Sequence, residues 1–225
     1  MCGIAGLIHR GKSSNVGSEL QHMLQALKHR GPDSTGYALY AENDGKNFIM
    51  RFKVGENVGE GSSSVMEDVS VYDERKKIVD SYLSQMGAKI VKEERILPYS
   101  LRYEIDYDKG DLLEFSQKIE SIPGVEILSM GKSLEVIKDL GNAKAVCDRY
   151  NLGDLVGTHA IGHARMATES GVDIKSAHPF WGYPFSDVSV VHSGQLTNYW
   201  NNRRILENKG MRLCRSVTLN WLQST

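Results

Sequence analysis

Met1-Cys-Gly-Ile-Ala-Gly-Leu-Ile8 is an apolar, glycine-punctuated run with a thiol at its second position. Chain ends are usually polar and frayed. This one reads as a buried strand whose first residue is chemically reactive. The small side chain at position 2 permits removal of Met1, which leaves Cys2 with a free α-amine beside its thiol. A free α-amine has a pKa of about 7.7–8.0, so much of it is neutral near pH 7.5 and can serve as the general base for the thiol. Such a pair can attack a carbonyl, form a thioester and pass the proton to a leaving amine. It also needs oxyanion donors, a clamp for any charged end of the substrate, and a rigid strand behind it. By itself a cysteine at position 2 is more often incidental, and lipidation is a further reading, although one acyl chain anchors only marginally.

Composition narrows the classes. Apolar residues make up 40% of the 225 positions and charged residues 24%, with a net charge of −1. These values suit a globular protein and offer no basic face for nucleic acid or an anionic membrane. No apolar run approaches the roughly 20 residues that span a bilayer, and the N-terminal stretch lacks the form of a signal peptide. Cys2, Cys147 and Cys214 are odd in number and widely spaced, which argues against a disulfide framework or a thiolate zinc site and points to the cytoplasm.

Along the chain, Ser18-Glu-Leu-Gln21 has the form of a capping box before a helix whose apolar face is Leu20, Met23, Leu24 and Leu27. That helix ends near His29-Arg-Gly-Pro32. Tyr37–Tyr40 and Phe48–Phe52 read as strands joined as a hairpin through Asn43-Asp-Gly45. Gly59-Glu-Gly-Ser-Ser-Ser64 reads as a loop, and the pattern beyond it is self-contained. A helical stripe at Ile78, Val79, Tyr82, Leu83 and Met86 comes first. Alternation at Leu101, Tyr103, Ile105 and Tyr107 follows, then a helix at Leu112, Phe115, Ile119 and Ile122, then a strand from Val125 to Met130. Residues 65–140 are therefore expected to form an inserted α+β subdomain within a domain built from 1–64 and 141–225. Strands are expected again at Thr158–Arg165 and Val188–His192, and a helix from Tyr199 to Asn208.

Three segments, Met1-Cys-Gly-Ile-Ala-Gly6, His29-Arg-Gly-Pro-Asp-Ser-Thr-Gly36 and Gly162-His-Ala-Arg-Met-Ala-Thr168, stand in order, followed by Ala177-His-Pro179 and Val191-His-Ser-Gly-Gln195. Together they resemble the class II glutamine amidotransferases, the N-terminal-nucleophile glutaminase domains of glutamate synthase, amidophosphoribosyltransferase, glucosamine-6-phosphate synthase and asparagine synthetase. Within that family the likeness is strongest to the stand-alone amidotransferase subunit of split glutamate synthases. The resemblance implies an α+β fold, a four-layer αββα sandwich of the N-terminal-nucleophile-hydrolase type, here with the small inserted subdomain. It implies hydrolysis of the side-chain amide of L-glutamine to glutamate and ammonia, the ammonia passing to a partner synthase subunit.

Roles implied by the resemblance attach to matching positions. Cys2 is the nucleophile, and Gly194 and Ser193 occupy the oxyanion positions. Arg165 holds the glutamine α-carboxylate, Thr168 and His178 line the pocket, and Arg30 and Asp33 buttress the N-terminal strand. No cofactor or metal is implied: no G-x-G-x-x-G or phosphate loop occurs, and His163, His178 and His192 lack metal-ligand spacing, so they read as core or pocket histidines. Two departures stand out. The family has Asn where this chain has Ser193, a shorter donor, and the segment after Arg212 lacks the family's Asp-Ser-Glu or Asp-Thr-Glu run, as a truncated or frame-shifted tail would. These departures keep open a second reading, a weak or inactive glutamine-binding module of the same fold. The oligomeric state is not legible.

Overall fold

The computed structural model describes residues 2–42, 45–55, 68–108, 110–166, 173–182, 185–194 and 198–208. Two four-stranded antiparallel sheets carry the fold, with a short two-stranded pair beside them. The first sheet has the order β1 (Gly3–Ile8), β8 (Gly157–Arg165), β2 (Ser34–Ala41), β7 (Leu134–Leu140). The second has the order β4 (Lys89–Leu97), β5 (Ser100–Asp106), β3 (Phe48–Lys53), β6 (Glu126–Gly131). The small pair is β9 (Phe180–Trp181) with β10 (Ser189–Val190).

Period-2 alternation sorts each strand between two neighbours. On β2, Tyr37 and Leu39 join an apolar cluster with α1 (Val16–Ala26) and α4 (Ala143–Arg149). Ala38, between them, joins a different cluster that includes Phe52 and Leu101 of the second sheet. The second sheet turns Met50, Phe52, Leu101 and Tyr103 to that same cluster, where Tyr72, Val79 and Leu83 of α2 (Val69–Gln85) and Phe115 and Ile119 of α3 (Leu112–Glu120) also lie. The first sheet thus has helices on one side and the second sheet on the other.

Arg51 and Lys53 alternate with Met50 and Phe52, and both are buried. Glu135 of β7 accepts from Arg51 Nε at 2.7 Å and from Arg102 Nε at 2.9 Å. Glu126 pairs with Lys53 Nζ at 3.0 Å and with Lys138 Nζ at 3.4 Å. Burial opposes the Glu126 charge, but the two lysines outweigh it and hold the carboxyl at about 2. Buried ions are tolerated only when compensated in this way.

Several expectations change. Asn15, not Ser18, caps α1: its side chain accepts from Ser18 N at 3.1 Å. Leu20 and Leu24 are fully buried, but Met23 is exposed. The β2–β3 hairpin does not form, because β2 is flanked by β7 and β8 while β3 is flanked by β5 and β6. The 65–140 segment shares both sheets instead of standing apart: its β5 and β6 enclose β3, and its β7 completes the first sheet. The expected loop at 59–64 lies outside the described residues. The last helix, α5 (Tyr199–Asn208), has the expected bounds.

Candidate active site

The register of the first sheet assembles the site. Gly3 pairs with Ala164, Ile4 with His163, Ser34 with Arg165 and Gly36 with His163. Cys2 stands one step before Gly3. On β8, Ala160 belongs to the α1 cluster and Gly162 sits against Leu20 and Leu24 of α1. By alternation His163 and Arg165 face away from α1, and Cys2 and Ile4 share that face. One row across the sheet therefore reads Arg165, Ser34, with Cys2 just before the paired part of β1, and the next reads Ile4, His163, Gly36, Lys138.

Cys2 is half-buried, and its Sγ lies 3.8 Å from the carbonyl oxygen of Met166, to which it can donate. Arg165 is 6% exposed, deep enough for its charge to act at low dielectric. The loop after α1 braces this end of β8. Asp33 N donates to Arg165 O at 3.2 Å, and Gly141 N donates to Asp33 O at 3.0 Å. Gly31 lies so close to the Ala164–Arg165 backbone that a Cβ there would meet Ala164 O at 2.3 Å. Arg30, the other expected buttress, is exposed, and no hydrogen bond from its side chain reaches the site among the described residues.

A second segment closes over the row. The His178 backbone presses on Gly36, where a Cβ would stand 2.0 Å from His178 O. The His178 ring stacks on His163 with centroids 4.7 Å apart, and Phe180 meets it edge-on at 4.8 Å. His192 N donates to His178 Nδ1 at 3.2 Å, which leaves the imidazole proton on Nε2. Burial, helped by the charge of Arg165, pushes the His163 imidazole down to about 4. Burial, then the neighbouring His163 and Lys138, pushes His178 to about 2. Both rings are neutral at pH 7. Ser34 Oγ and both His163 ring nitrogens are buried without a hydrogen-bond partner among the described residues. Buried polar atoms left without a partner are unusual in a folded protein.

Ser193 and Gly194 follow β10 and are exposed, with Gly194 at φ 141°. Among the described residues no hydrogen bond joins either to Cys2. Thr168 lies outside the described residues, as does the tail after Asn208. The His163–His178 stack carries no periodic signature; only its separation of 15 positions, bridged by a fold, brings it together. Among the described residues no group of three or more His, Cys, Asp or Glu is placed to hold a metal, and no helix is long and apolar enough to cross a membrane.

The fold and this site define a mixed α/β protein with antiparallel sheets and a cysteine at one sheet edge beside a buried arginine. No family model matches the chain. It is 39% identical over 218 residues, 93% of its length, to a protein of Methanothermobacter thermautotrophicus that carries the provisional name of glutamine amidotransferase. It is 31% identical over 214 residues, 94% of its length, to the glutamine amidotransferase-like protein GlxB of Rhizobium meliloti. Over 88 residues, 39% of the chain, it is 36% identical to the chloroplastic amidophosphoribosyltransferase 1 of Arabidopsis thaliana, covering 16% of that protein. The chain belongs to a glutamine amidotransferase-like family. It spans 66% and 64% of the length of the first two relatives.

Proposed function

We propose that this chain is a class II glutaminase domain that hydrolyses the side-chain amide of glutamine and supplies ammonia to a synthase partner. The observation that carries the reading is the Cys2 thiol 3.8 Å from Met166 O, at the end of β8 where the buried Arg165 stands. A thiol and a buried guanidinium at the same end of the sheet suit a substrate with a reactive carbonyl at one end and a carboxylate at the other. The helix–sheet–sheet–helix stacking supports the four-layer sandwich of that class. The subtype we favour is the stand-alone subunit of split glutamate synthases.

In this mechanism Met1 is removed and the Cys2 α-amine takes the thiol proton. The thiolate attacks the amide carbon, forming the C–S bond and an oxyanion that Gly194 N–H and Ser193 are positioned in sequence to meet. The C–N bond then breaks, and ammonia leaves with the proton held by the amine. Water attacks the thioester, glutamate is released and the thiol is restored. Arg165 holds the α-carboxylate throughout, with Thr168 and His178 lining the pocket.

The test is glutamate release from L-glutamine by protein whose intact mass shows loss of Met1, with Cys2→Ala as control. Release that depends on Cys2 supports the reading; equal background in both proteins sinks it. One observation favours a weaker variant of the same site: Ser193 stands where the family has Asn and is exposed. If its hydroxyl falls short of the oxyanion, Ser193→Asn raises turnover on the order of 10²-fold. No gain in that variant removes the weak-site reading.

A further inference from the structure

One carboxylate fastens the β9–β10 hairpin to the rest of the fold. Asp187 Oδ1 accepts from Ser133 N at 2.7 Å, Leu134 N at 2.8 Å and Ser133 Oγ at 3.0 Å, and Oδ2 accepts from Lys132 N at 3.0 Å. These donors form the turn between β6 and β7. Successive backbone N–H groups at a turn make a concave anion site, here filled from within the chain. Burial works against the charge, yet the donors of Ser133, Leu134 and Lys132 hold the carboxyl below its usual range. Asp187 also sits in the left-handed region at φ 59°, a conformation that aspartate adopts more readily than most non-glycine residues.

From Asp187 the chain leads straight to the site. Ser189 Oγ lies 2.9 Å from Tyr40 OH, and His192 N reaches His178 Nδ1. Ser193 and Gly194 come next. The segment expected to meet the oxyanion is thus tied down by Asp187, by the β9–β10 pairing, by Ser189 and by His192, and Asp187 is the charged tie. We propose that Asp187 is a positioning residue: it latches the 188–194 segment to the β6–β7 turn, so that the 65–140 segment governs turnover at Cys2. This rests on the glutaminase reading above.

Asp187→Asn preserves size but leaves one acceptor oxygen for four donors and turns an amide N–H₂ toward the rest. Losing part of one oxyanion donor should lower kcat by about 10- to 10²-fold. KM should stay within about twofold, since the Arg165 clamp is untouched. Amide hydrogen exchange at 132–134 and 188–194 should quicken at least about tenfold, with the core strands unchanged. Ser133→Ala removes one of the four donors and should give a smaller loss in the same direction, which decides the matter should Asp187→Asn fail to fold. Unchanged kcat, or a rise in KM as large as the fall in kcat, would overturn the latch. If wild-type protein shows no Cys2-dependent glutamate release, the glutaminase reading fails by itself. The exchange measurement then judges the latch: faster exchange in both segments supports it, and unchanged exchange overturns it.

Discussion

Replacing Gly36 with alanine places a methyl carbon 2.0 Å from His178 O, 2.8 Å from His178 C and 2.8 Å from Pro179 Cδ. Real Cβ contacts of this kind lie beyond about 3 Å, so one partner must retreat by about 1 Å. β2 cannot be that partner, because Gly36 is paired with Lys138 on one side and His163 on the other. The 178–179 backbone moves instead, and the His163 stack and the His192 bond move with it. Overpacking of this kind costs about 1–3 kcal/mol. For a chain of this size that is about 2–4 °C per kcal/mol, so Tm should fall by roughly 2–12 °C. A misplacement of about 1 Å in a catalytic segment can cost on the order of 10²-fold in turnover. Thermal melting and glutamate release measure the two effects, with Gly153→Ala as reference, since a Cβ there meets nothing within 4 Å. A Gly36→Ala protein with wild-type Tm and wild-type turnover would refute the claim that this contact seats the pocket.

Arg165→Lys keeps the charge but loses the two-pronged donor. We expect KM for glutamine to rise at least about tenfold with a smaller change in kcat, read from glutamate release. Glu135→Gln leaves Arg51 and Arg102 buried without their shared counter-charge, and should lower stability by about 3–5 kcal/mol in urea denaturation. Stability should also fall with acid in a defined window. His163 and His178 stay unprotonated when folded, at about 4 and about 2, while the unfolded chain takes up protons below about 6.5. The unfolded state then binds more protons, so stability drops as pH falls from 6.5 to 4, and these two groups add no slope above pH 7. Two such groups cost on the order of 4 kcal/mol at pH 5. His163→Phe should flatten that slope in melts taken across the window.

Much of the fold was legible where local patterns decide it. Alternation marked β5, helical spacing marked α2 and α3, and glycine with proline marked the helix ends; β8 and α5 were expected close to their observed bounds. The misreadings have a common cause. Asn43-Asp-Gly45 is a sound local hairpin signal, yet both edges of β2 are taken by strands nearly a hundred residues or more away, which no local signal encodes. β7 escaped notice because Glu135, Lys138 and Asp139 look like a solvated segment, although all are 3% exposed or less. Their partners, Arg51, Arg102, Glu126, Tyr99 and Arg149, are scattered along the chain and meet only in the folded state. For the same reason the 65–140 segment read as an insertion, when its last strand completes the first sheet. In the candidate site, the motifs singled out Cys2 and Arg165, which the fold brings to the same end of the first sheet. The His163–His178 stack and the Asp187 latch were not, since each is a contact between short irregular segments.

In the proposed mechanism, the electrostatics of the site bear on which group deprotonates Cys2. A general base works best with a pKa near the operating pH. His163, in the row next to Arg165, and His178, stacked on it, are at about 4 and about 2, too weak to hold a thiol proton at pH 7. The burial that stacks them and the cations of Arg165 and Lys138 that face them produce that weakness, so it is built into the site. A free α-amine on Cys2, at about 7.7–8.0, is far better matched and lies on the same residue as the thiol. The acid limb of kcat/KM should therefore fall near pH 7.7–8.0 and survive His163→Phe. A protein whose mass shows Met1 retained should lose turnover while Cys2 still reacts with iodoacetamide. An acid limb near pH 6.5 that disappears in a histidine variant would assign the base to an imidazole and overturn the amine.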